Sequence, residues 1–239
     1  CHFSENEAGA GGAIATGGKG NLYCRDCVFS DNVAADDIRA DGGAVYFNAT
    51  GDCRIENCSF IGNMSLDGRG GGLCFIPWQG GDVTVEDSDF SGNTCIGFVT
   101  GGGGLFAVSG SAQIVRTNFS GNVVHVSSDY GGGLQLIDGS GPPSIVRDCR
   151  FEQNQAYQGG GARLSNVDVT SSKFIDNQAT RGGAVDASNC LLKSSSLFGN
   201  NAVLGGAVYA ADTSIVGCVI SGNYATQRGG AIRNSTPQS

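Results

Sequence analysis

The carboxylates, histidines and tryptophan that could do chemistry fall mainly in loop-like segments of the first half of the chain. Asp36 and Asp37 are adjacent carboxylates. Clustered carboxylates act as acids, bases or calcium ligands in enzymes that cleave acidic sugars. His2 and His125 have no evident Ser or Cys partner for a nucleophilic triad. We therefore expect no catalytic residues and no enzyme activity, with a carbohydrate-active enzyme as the alternative.

The same segments hold the candidate binding residues. Four of them, "VAADDIRAD", "MSLDGRG", "TCIGFVTGG" and "VVHVSSDYG", precede glycine-rich stretches, and "IPWQGGD" and "IDGSGPPS" lie further along two repeats. Loops on one face of a repeat protein often form its binding face, so we expect a raised loop patch that binds protein or glycan. Its candidate residues are Asp36, Asp37, Arg39, Asp41, Asp67, Arg69, Trp78, His125, Asp129 and Tyr130. The alternative is plain solvated loop.

Composition limits the partners. The 239 residues include 41 Gly but 4 Pro, and the net charge is -8 with 15% charged residues. This charge argues against nucleic acid, whose phosphates require clustered Lys and Arg. No apolar run reaches transmembrane length, so we expect no membrane span. We also expect no cofactor. The chain begins inside a repeat and stops just after another, and we expect it to be a piece of a longer protein or a mature chain after processing.

A repeated phrase predicts the elements that position these loops. An apolar residue, two variable residues and Asn recur nine times, every 26–32 residues at first and every 23 residues in the last repeats. Each copy is followed by a Gly pair and preceded by a run that alternates like a β-strand. Nine units of this period indicate a solenoid, and high glycine content disfavours helices. We predict an all-β, parallel β-helix of about nine coils.

Each repeated position should become a column along the axis of the stack. The Phe column fills the core, and the Gly pair bends the backbone at a turn. Stacked amides at the Asn column should bond one another and satisfy turn carbonyls. The predicted Asn ladder comprises Asn6, Asn32, Asn63, Asn93, Asn122, Asn154, Asn177, Asn200 and Asn223. We expect a single β-helix domain over 1–239, with long loops in 1–150 and compact 23-residue coils in 151–239.

The ten cysteines allow two interpretations. Disulfides could form among the N-terminal set, Cys1, Cys24, Cys27, Cys53 and Cys58, since adjacent coils have a spacing compatible with a disulfide. Alternatively they are buried small hydrophobic residues, which we favour for Cys149, Cys190 and Cys218. A zinc site is disfavoured because the Cys24 and Cys27 thiols should lie in different columns. An outward column containing Asp26, Asn57, Asp87, Arg116 and Asp148 could hold calcium or be a hydrated strand face; we expect no metal.

Asparagine sequons bear on the compartment. Five Asn-x-Ser/Thr matches occur, and we expect Asn48 and Asn118 to face outward as glycosylation sites. Asn63, in the predicted ladder, should be unmodified. Such sites would fit a eukaryotic secretory route, although a chain rich in Ser and Asn also produces matches by chance.

The repeated motif pair is similar to a known family. "FSEN…GGAI", "FSDN…GGAV", "FIDN…GGAV" and "ISGN…GGAI" resemble the polymorphic outer membrane protein (Pmp) repeat of chlamydial surface proteins. The resemblance implies a right-handed parallel β-helix displayed at the cell surface for adhesion or surface assembly, in bacteria typically as an autotransporter passenger. It supplies no catalytic residues. We accordingly expect an extracellular, non-enzymatic structural or adhesive module of a surface protein or filament. Further repeats or subunits should cap both ends of the stack.

Overall fold

The structure is a computed structural model that describes residues 1–35, 40–77, 80–97, 101–125, 130–138 and 142–235. It confirms the predicted parallel β-helix. Successive coils stack their strands into four sheets, numbered 1 to 4 along the coil, and all strand pairs are parallel; in sheet 2, coils 6 and 7 contribute single bridges instead of strands. No helix among the described residues is long and apolar enough to cross a membrane.

Sheet 1 carries the repeated Phe and has nine strands. They are His2–Ser4, Val28–Ser30, Ser59–Ile61, Asp89–Ser91, Asn118–Ser120, Arg150–Glu152, Lys173–Ile175, Ser196–Phe198 and Val219–Ser221. These strands number coils 1 to 9. Sheet 2 follows the Asn and consists of Glu7–Ala8, Val33–Ala34, Met64–Ser65, Thr94–Cys95 and Val123–Val124. Single bridges at Gln155 and Gln178 connect it to a last pair, Asn201–Leu204 and Tyr224–Arg228.

Sheet 3 follows the Gly pair and also has nine strands. They are Ile14–Gly18, Val45–Ala49, Leu73–Phe75, Leu105–Ser109, Leu134–Asp138, Ala162–Ser165, Val185–Ser188, Val208–Ala211 and Ile232–Asn234. Sheet 4 closes the coil with eight strands, Leu22–Arg25, Cys53–Glu56, Val83–Glu86, Ala112–Val115, Ser144–Arg147, Val167–Thr170, Leu191–Lys193 and Ser214–Val216.

The core is a stack of aromatic rings in register. The phenylalanines of coils 1 to 7 lie in one column on sheet 1, with neighbouring ring centroids 4.5–5.1 Å apart and ring planes within 13° of parallel. Parallel strands in exact register bring identical side chains to the coil spacing, about 4.8 Å. Leu197 and Ile220 continue the column in coils 8 and 9. Each buried ring contributes about 1.5–3 kcal/mol of hydrophobic stabilisation.

The nine repeated asparagines form a continuous hydrogen-bonded ladder at the turn after sheet 1. Asn122 is typical: its Nδ2 donates to Asn154 Oδ1 at 2.9 Å and to the Phe90 carbonyl at 2.9 Å. Its own Oδ1 accepts from the backbone N and Nδ2 of Asn93. The side chain therefore satisfies every polar group it buries, which explains why Asn recurs where Asp or Ser could not replace it.

The Gly pair is required by close backbone approach. In coil 5, Gly131 has φ +65°, and a Cβ added there would lie 2.2 Å from the Leu134 carbonyl oxygen. A Cβ on Gly132 would lie 2.3 Å from the Gly160 carbonyl oxygen of the next coil. The first position requires glycine because its φ is positive and a side chain would clash within the turn. The second requires glycine because a side chain would clash with the backbone of the next coil.

Candidate functional site

The corner at the Gly pair brings two columns of side chains together along the outside of the stack. At each step from Asp41 to Arg228, the carbonyl of the residue before the Gly pair accepts a hydrogen bond from the backbone N–H of the first glycine in the preceding coil. This pre-glycine column comprises Asp41, Arg69, Gly101, Tyr130, Gln158, Arg181, Leu204 and Arg228. Five residues later, the outward residue of each sheet 3 strand forms a second column. It comprises Tyr46, Cys74, Phe106, Gln135, Arg163, Asp186, Tyr209 and Arg233. We call the two columns together the seam.

Arginines of the seam stack on aromatic rings of the neighbouring coil. The guanidinium carbon of Arg69 lies 5.1 Å from the ring centroid of Phe106, and that of Arg163 lies 3.9 Å from the ring centroid of Tyr130. Arg181 lies 4.2 Å from the centroid of Tyr209. Cation–π contacts of this kind hold a guanidinium in place while leaving its charge intact.

In coils 3 to 5 the outward side chains of the seam are buried. Cys74, Phe106 and Gln135 point outward from sheet 3, yet they are 0%, 4% and 3% exposed. The described ends of neighbouring loops are joined by backbone bonds, such as His125 N to the Cys95 carbonyl at 3.1 Å. The raised loop patch stays a prediction, because residues 36–39, 98–100 and 126–129 lie outside the described residues.

The predicted loop-patch residues have separate environments. Asp41 is buried, and its carboxylate accepts from the backbone N of Arg69 at 2.8 Å. The Asp67 side chain lies against Gly97 of the next loop, so closely that a Cβ there would be 2.2 Å from its Oδ1. His125 is exposed and Tyr130 half-buried. Asp36, Asp37, Arg39, Trp78 and Asp129 lie outside the described residues.

Burial changes the chemistry of Cys74. Desolvation raises the pKa of this thiol well above its usual value, and the nearby Asp41 carboxylate raises it further. A thiol with a raised pKa is a poor nucleophile, since the thiolate is the reactive form. Cys74 is therefore part of the packing and is not a candidate reactive residue.

In coils 6 to 9 the seam is uncovered, and we call this part the open seam. Arg163, Tyr209 and Arg233 are half-buried and Arg228 is exposed. Asp186 is buried between them and pairs with Arg181 at 2.9 Å. Burial raises the pKa of the Asp186 carboxyl, although the two arginines, Arg181 and Arg163, oppose the shift. Among the described residues, charged side chains of neighbouring coils line up within reach of solvent on sheet 3 in the open seam alone.

The cysteines have a structural role that the sequence analysis missed. A residue with positive φ ends sheet 4 in coils 1 to 8, and the next residue is Cys, Ser or Thr in all eight, beginning with Asp26 and Cys27. In most coils its thiol or hydroxyl donates to the carbonyl two residues earlier, as from Cys27 Sγ to Arg25 O at 3.1 Å and from Ser88 Oγ to Glu86 O at 2.7 Å. A small donor at this position satisfies a corner carbonyl.

The five N-terminal cysteines, Cys1, Cys24, Cys27, Cys53 and Cys58, are free thiols in the structure. Register places Cys27 and Cys58 side by side. However, in-register side chains point in parallel directions, so their Cβ atoms lie at about the 4.8 Å strand spacing. A disulfide requires about 3.5–4.5 Å between Cβ atoms. Coil spacing alone therefore does not favour a bridge. Burial raises the pKa of Cys24 to about 12.

The outward column that could hold calcium lies at a corner where the backbone is left-handed, and not on the face of a strand. Asp26, Asn57, Asp87, Arg116 and Asp148 all have φ between 48° and 56°. They bond one another in pairs: Asn57 Nδ2 to Asp26 Oδ1 at 2.6 Å, and Arg116 to both oxygens of Asp87 at 2.6 and 2.8 Å. No group of three His, Cys, Asp or Glu that could hold a metal occurs among the described residues.

The two predicted glycosylation sites differ. Asn118 is exposed, and its Nδ2 donates to Asp89 Oδ1 at 2.7 Å. Asn48 is half-buried, its Nδ2 donates to the Tyr46 hydroxyl at 2.7 Å, and its Oδ1 is buried without a partner. Asn63 is fully buried in the ladder.

Comparison with known proteins identifies one partial similarity. No protein-family profile matches the chain, including the Pmp repeat that the motifs resemble. A stretch of 88 residues is 35% identical to the probable autotransporter YfaL of Escherichia coli strain K12. It covers 35% of this chain and 6% of YfaL, so the chain spans a small fraction of that protein. No solved structure matches.

Proposed function

We propose that the chain is a non-enzymatic module of an extracellular surface protein, acting in adhesion or surface assembly. The observation that carries the proposal is the combination of a parallel β-helix with partial similarity to a probable autotransporter. Autotransporters export their passenger segment to the cell surface. The fold suits that use because its repeated interior leaves outward side chains free to vary without disturbing the core.

Two carboxylates of the seam, Asp41 and Asp186, support a binding role. An enzyme that cleaves acidic sugars needs clustered carboxylates open to substrate. Asp41 is instead buried and bonded to the Arg69 backbone, and Asp186 is buried and paired with Arg181. We further propose that more coils or a second subunit cover the outermost strands, because an open strand edge is prone to aggregation.

Surface display and attachment can be tested together. Antibodies raised against the purified chain should label intact, unpermeabilised cells of the source organism. Beads coated with the chain should attach to those cells or to their extracellular matrix more than albumin-coated beads do. Labelling that appears only after permeabilisation, together with no bead attachment, would contradict the proposal.

Enzyme activity requires its own control. Incubation of the chain with polygalacturonate should release no reducing ends or unsaturated products above the level of a heat-denatured sample. Product formation that depends on folded protein would replace the binding proposal with the enzyme alternative.

A further inference from the structure

The arginines of the molecule fall into two groups. Six of the seven ion pairs among the described residues lie on sheets 1 and 4 or the corner between them, such as Arg116 with Asp87 and Arg25 with Glu56. The open seam holds the seventh, Arg181 with Asp186. Arg163, Arg228 and Arg233 form no ion pair with any described residue. The described arginines of sheets 1 and 4 and their corner are therefore all paired with carboxylates, whereas three of the four arginines of the open seam are not.

The open seam is net positive in an acidic chain. Four arginines, Arg163, Arg181, Arg228 and Arg233, face one aspartate among its described residues, giving +3, whereas the whole sequence carries -8. Such a local reversal of sign concentrates anions at the surface and speeds their association.

Contacts within the seam hold the guanidinium groups in place. Arg163 is held against the Tyr130 ring at 3.9 Å, and its Nε is buried without a hydrogen-bond partner. Ring stacking rather than a carboxylate thus positions this charge. Arg181 is fixed by both Tyr209 and Asp186. A preorganised guanidinium loses little side-chain entropy when it binds a carboxylate.

We propose that the open seam of coils 6 to 9 is a binding groove for an acidic polysaccharide that carries a carboxylate on each sugar. The inference rests on the proposed function and names the ligand class of that adhesive module. Arg163 and Arg233, three coils apart in the same column, bind carboxylates that lie about three sugars apart, and Arg228 adds a third cation at the edge of the groove. The half-buried Tyr209 provides a hydroxyl that can bond a sugar hydroxyl.

Spacing is compatible with a saccharide. The guanidinium groups repeat with the coils, at multiples of about 4.8 Å, and a pyranose unit spans a similar distance. In an extended acidic peptide, side chains on the same face recur about every 6.6 Å, so two repeats span nearly the same length as three coils, and titration with polyglutamate decides between the two ligands. Nucleic acid is opposed by the negative charge of the rest of the chain.

Calorimetric titration of the complete chain with a purified oligogalacturonate, at low ionic strength, tests the groove. Wild-type protein should bind it, and a neutral malto-oligosaccharide of equal length should not bind. R163Q/R233Q should weaken binding at least about tenfold, because it removes two charge-assisted contacts. R147Q/R150Q removes the same charge from sheets 4 and 1 and should change affinity less than about twofold. Circular dichroism should show both variants folded.

Each contrary result overturns the proposal. Equal weakening by the two double variants would mean general electrostatic attraction. Absent binding to oligogalacturonate, or tighter binding to polyglutamate of equal charge, would exclude the acidic saccharide.

Bead attachment distinguishes a failure of the proposed groove from a failure of the proposed adhesive function. If R163Q/R233Q beads attach as wild type does, the groove fails and the adhesive module stands. If wild-type beads do not attach, the adhesive module fails whatever the titration shows.

Discussion

Coils 3 to 5 and coils 6 to 9 have the same interior and opposite outer faces. Phe119 and Phe174 occupy the same buried column, and Asn122 and Asn177 the same ladder. Outside, Cys74, Phe106 and Gln135 are buried, whereas Arg163, Tyr209 and Arg233 of the same column reach solvent. The outer face of sheet 3 therefore changes along the stack, while the core stays constant.

The largest expected effect is the loss of stability when a core phenylalanine is removed, and it tests whether the interiors of the two regions are equally stabilising. Phe119→Ala and Phe174→Ala should each lower the free energy of unfolding by about 3–5 kcal/mol, because each removes a buried ring packed between the side chains of the two neighbouring coils. Urea denaturation followed by circular dichroism measures this. Because repeat arrays can lose cooperativity, fluorescence should be recorded as a second probe. A loss of stability in one region alone would show that the two interiors are not equivalent.

The Asn ladder should be nearly as sensitive. Asn122→Ala removes the bonds to Asn154, to the Phe90 carbonyl and to Asn93, leaving buried polar groups without partners. We expect Asn122→Ala and Asn177→Ala each to cost about 2–4 kcal/mol. Exposed Asn118→Ala is the control and should change stability by less than about 0.5 kcal/mol. Equal effects at Asn118 and Asn122 would remove the ladder as a source of stability.

A smaller effect concerns the buried carboxyl of the open seam. A pKa raised by burial means that ionising Asp186 is harder in the folded chain than in the unfolded chain. Its contribution to stability is thus full below the unfolded pKa, about 3.9, and declines as pH rises through the folded value. Asp186→Asn should gain stability relative to wild type between pH 3.5 and neutrality.

Urea denaturation of both proteins across that pH range measures the difference, with Asp168→Asn on sheet 4 as the control. A difference between Asp186→Asn and wild type that does not change with pH would refute the effect of burial on this carboxyl.

The sequence was informative wherever one residue type repeats for one physical reason. Phe, Asn and the Gly pair recur because each side chain stacks on its own copy, so a column in the structure is a period in the sequence. The parallel β-helix and its nine coils could therefore be predicted. The corner donors could also have been found, since Asp26–Cys27, Asn57–Cys58 and Asp87–Ser88 pair a residue tolerant of positive φ with a small donor.

The seam could not be predicted in the same way. Its contacts join different residue types on neighbouring coils, as Arg163 joins Tyr130 and Arg181 joins Tyr209. Pairs of this kind, between different residue types on neighbouring coils, leave no repeating pattern in the sequence. Nor does the sequence show that Phe106 and Cys74 are buried although they point outward, because an outward residue of sheet 3 is polar in one coil and apolar in the next.

The covered and open parts of one column can be compared directly by thiol labelling. Cys74 and Tyr209 occupy the same outward column of sheet 3, so Cys74 and a Tyr209→Cys variant report on the two regions. Maleimide labelling of the native Tyr209→Cys protein, read by peptide mass spectrometry, should modify position 209 readily and leave Cys74 unmodified. Both should react in urea. Rapid labelling of native Cys74, at the rate of position 209, would contradict the distinction between a covered and an open seam.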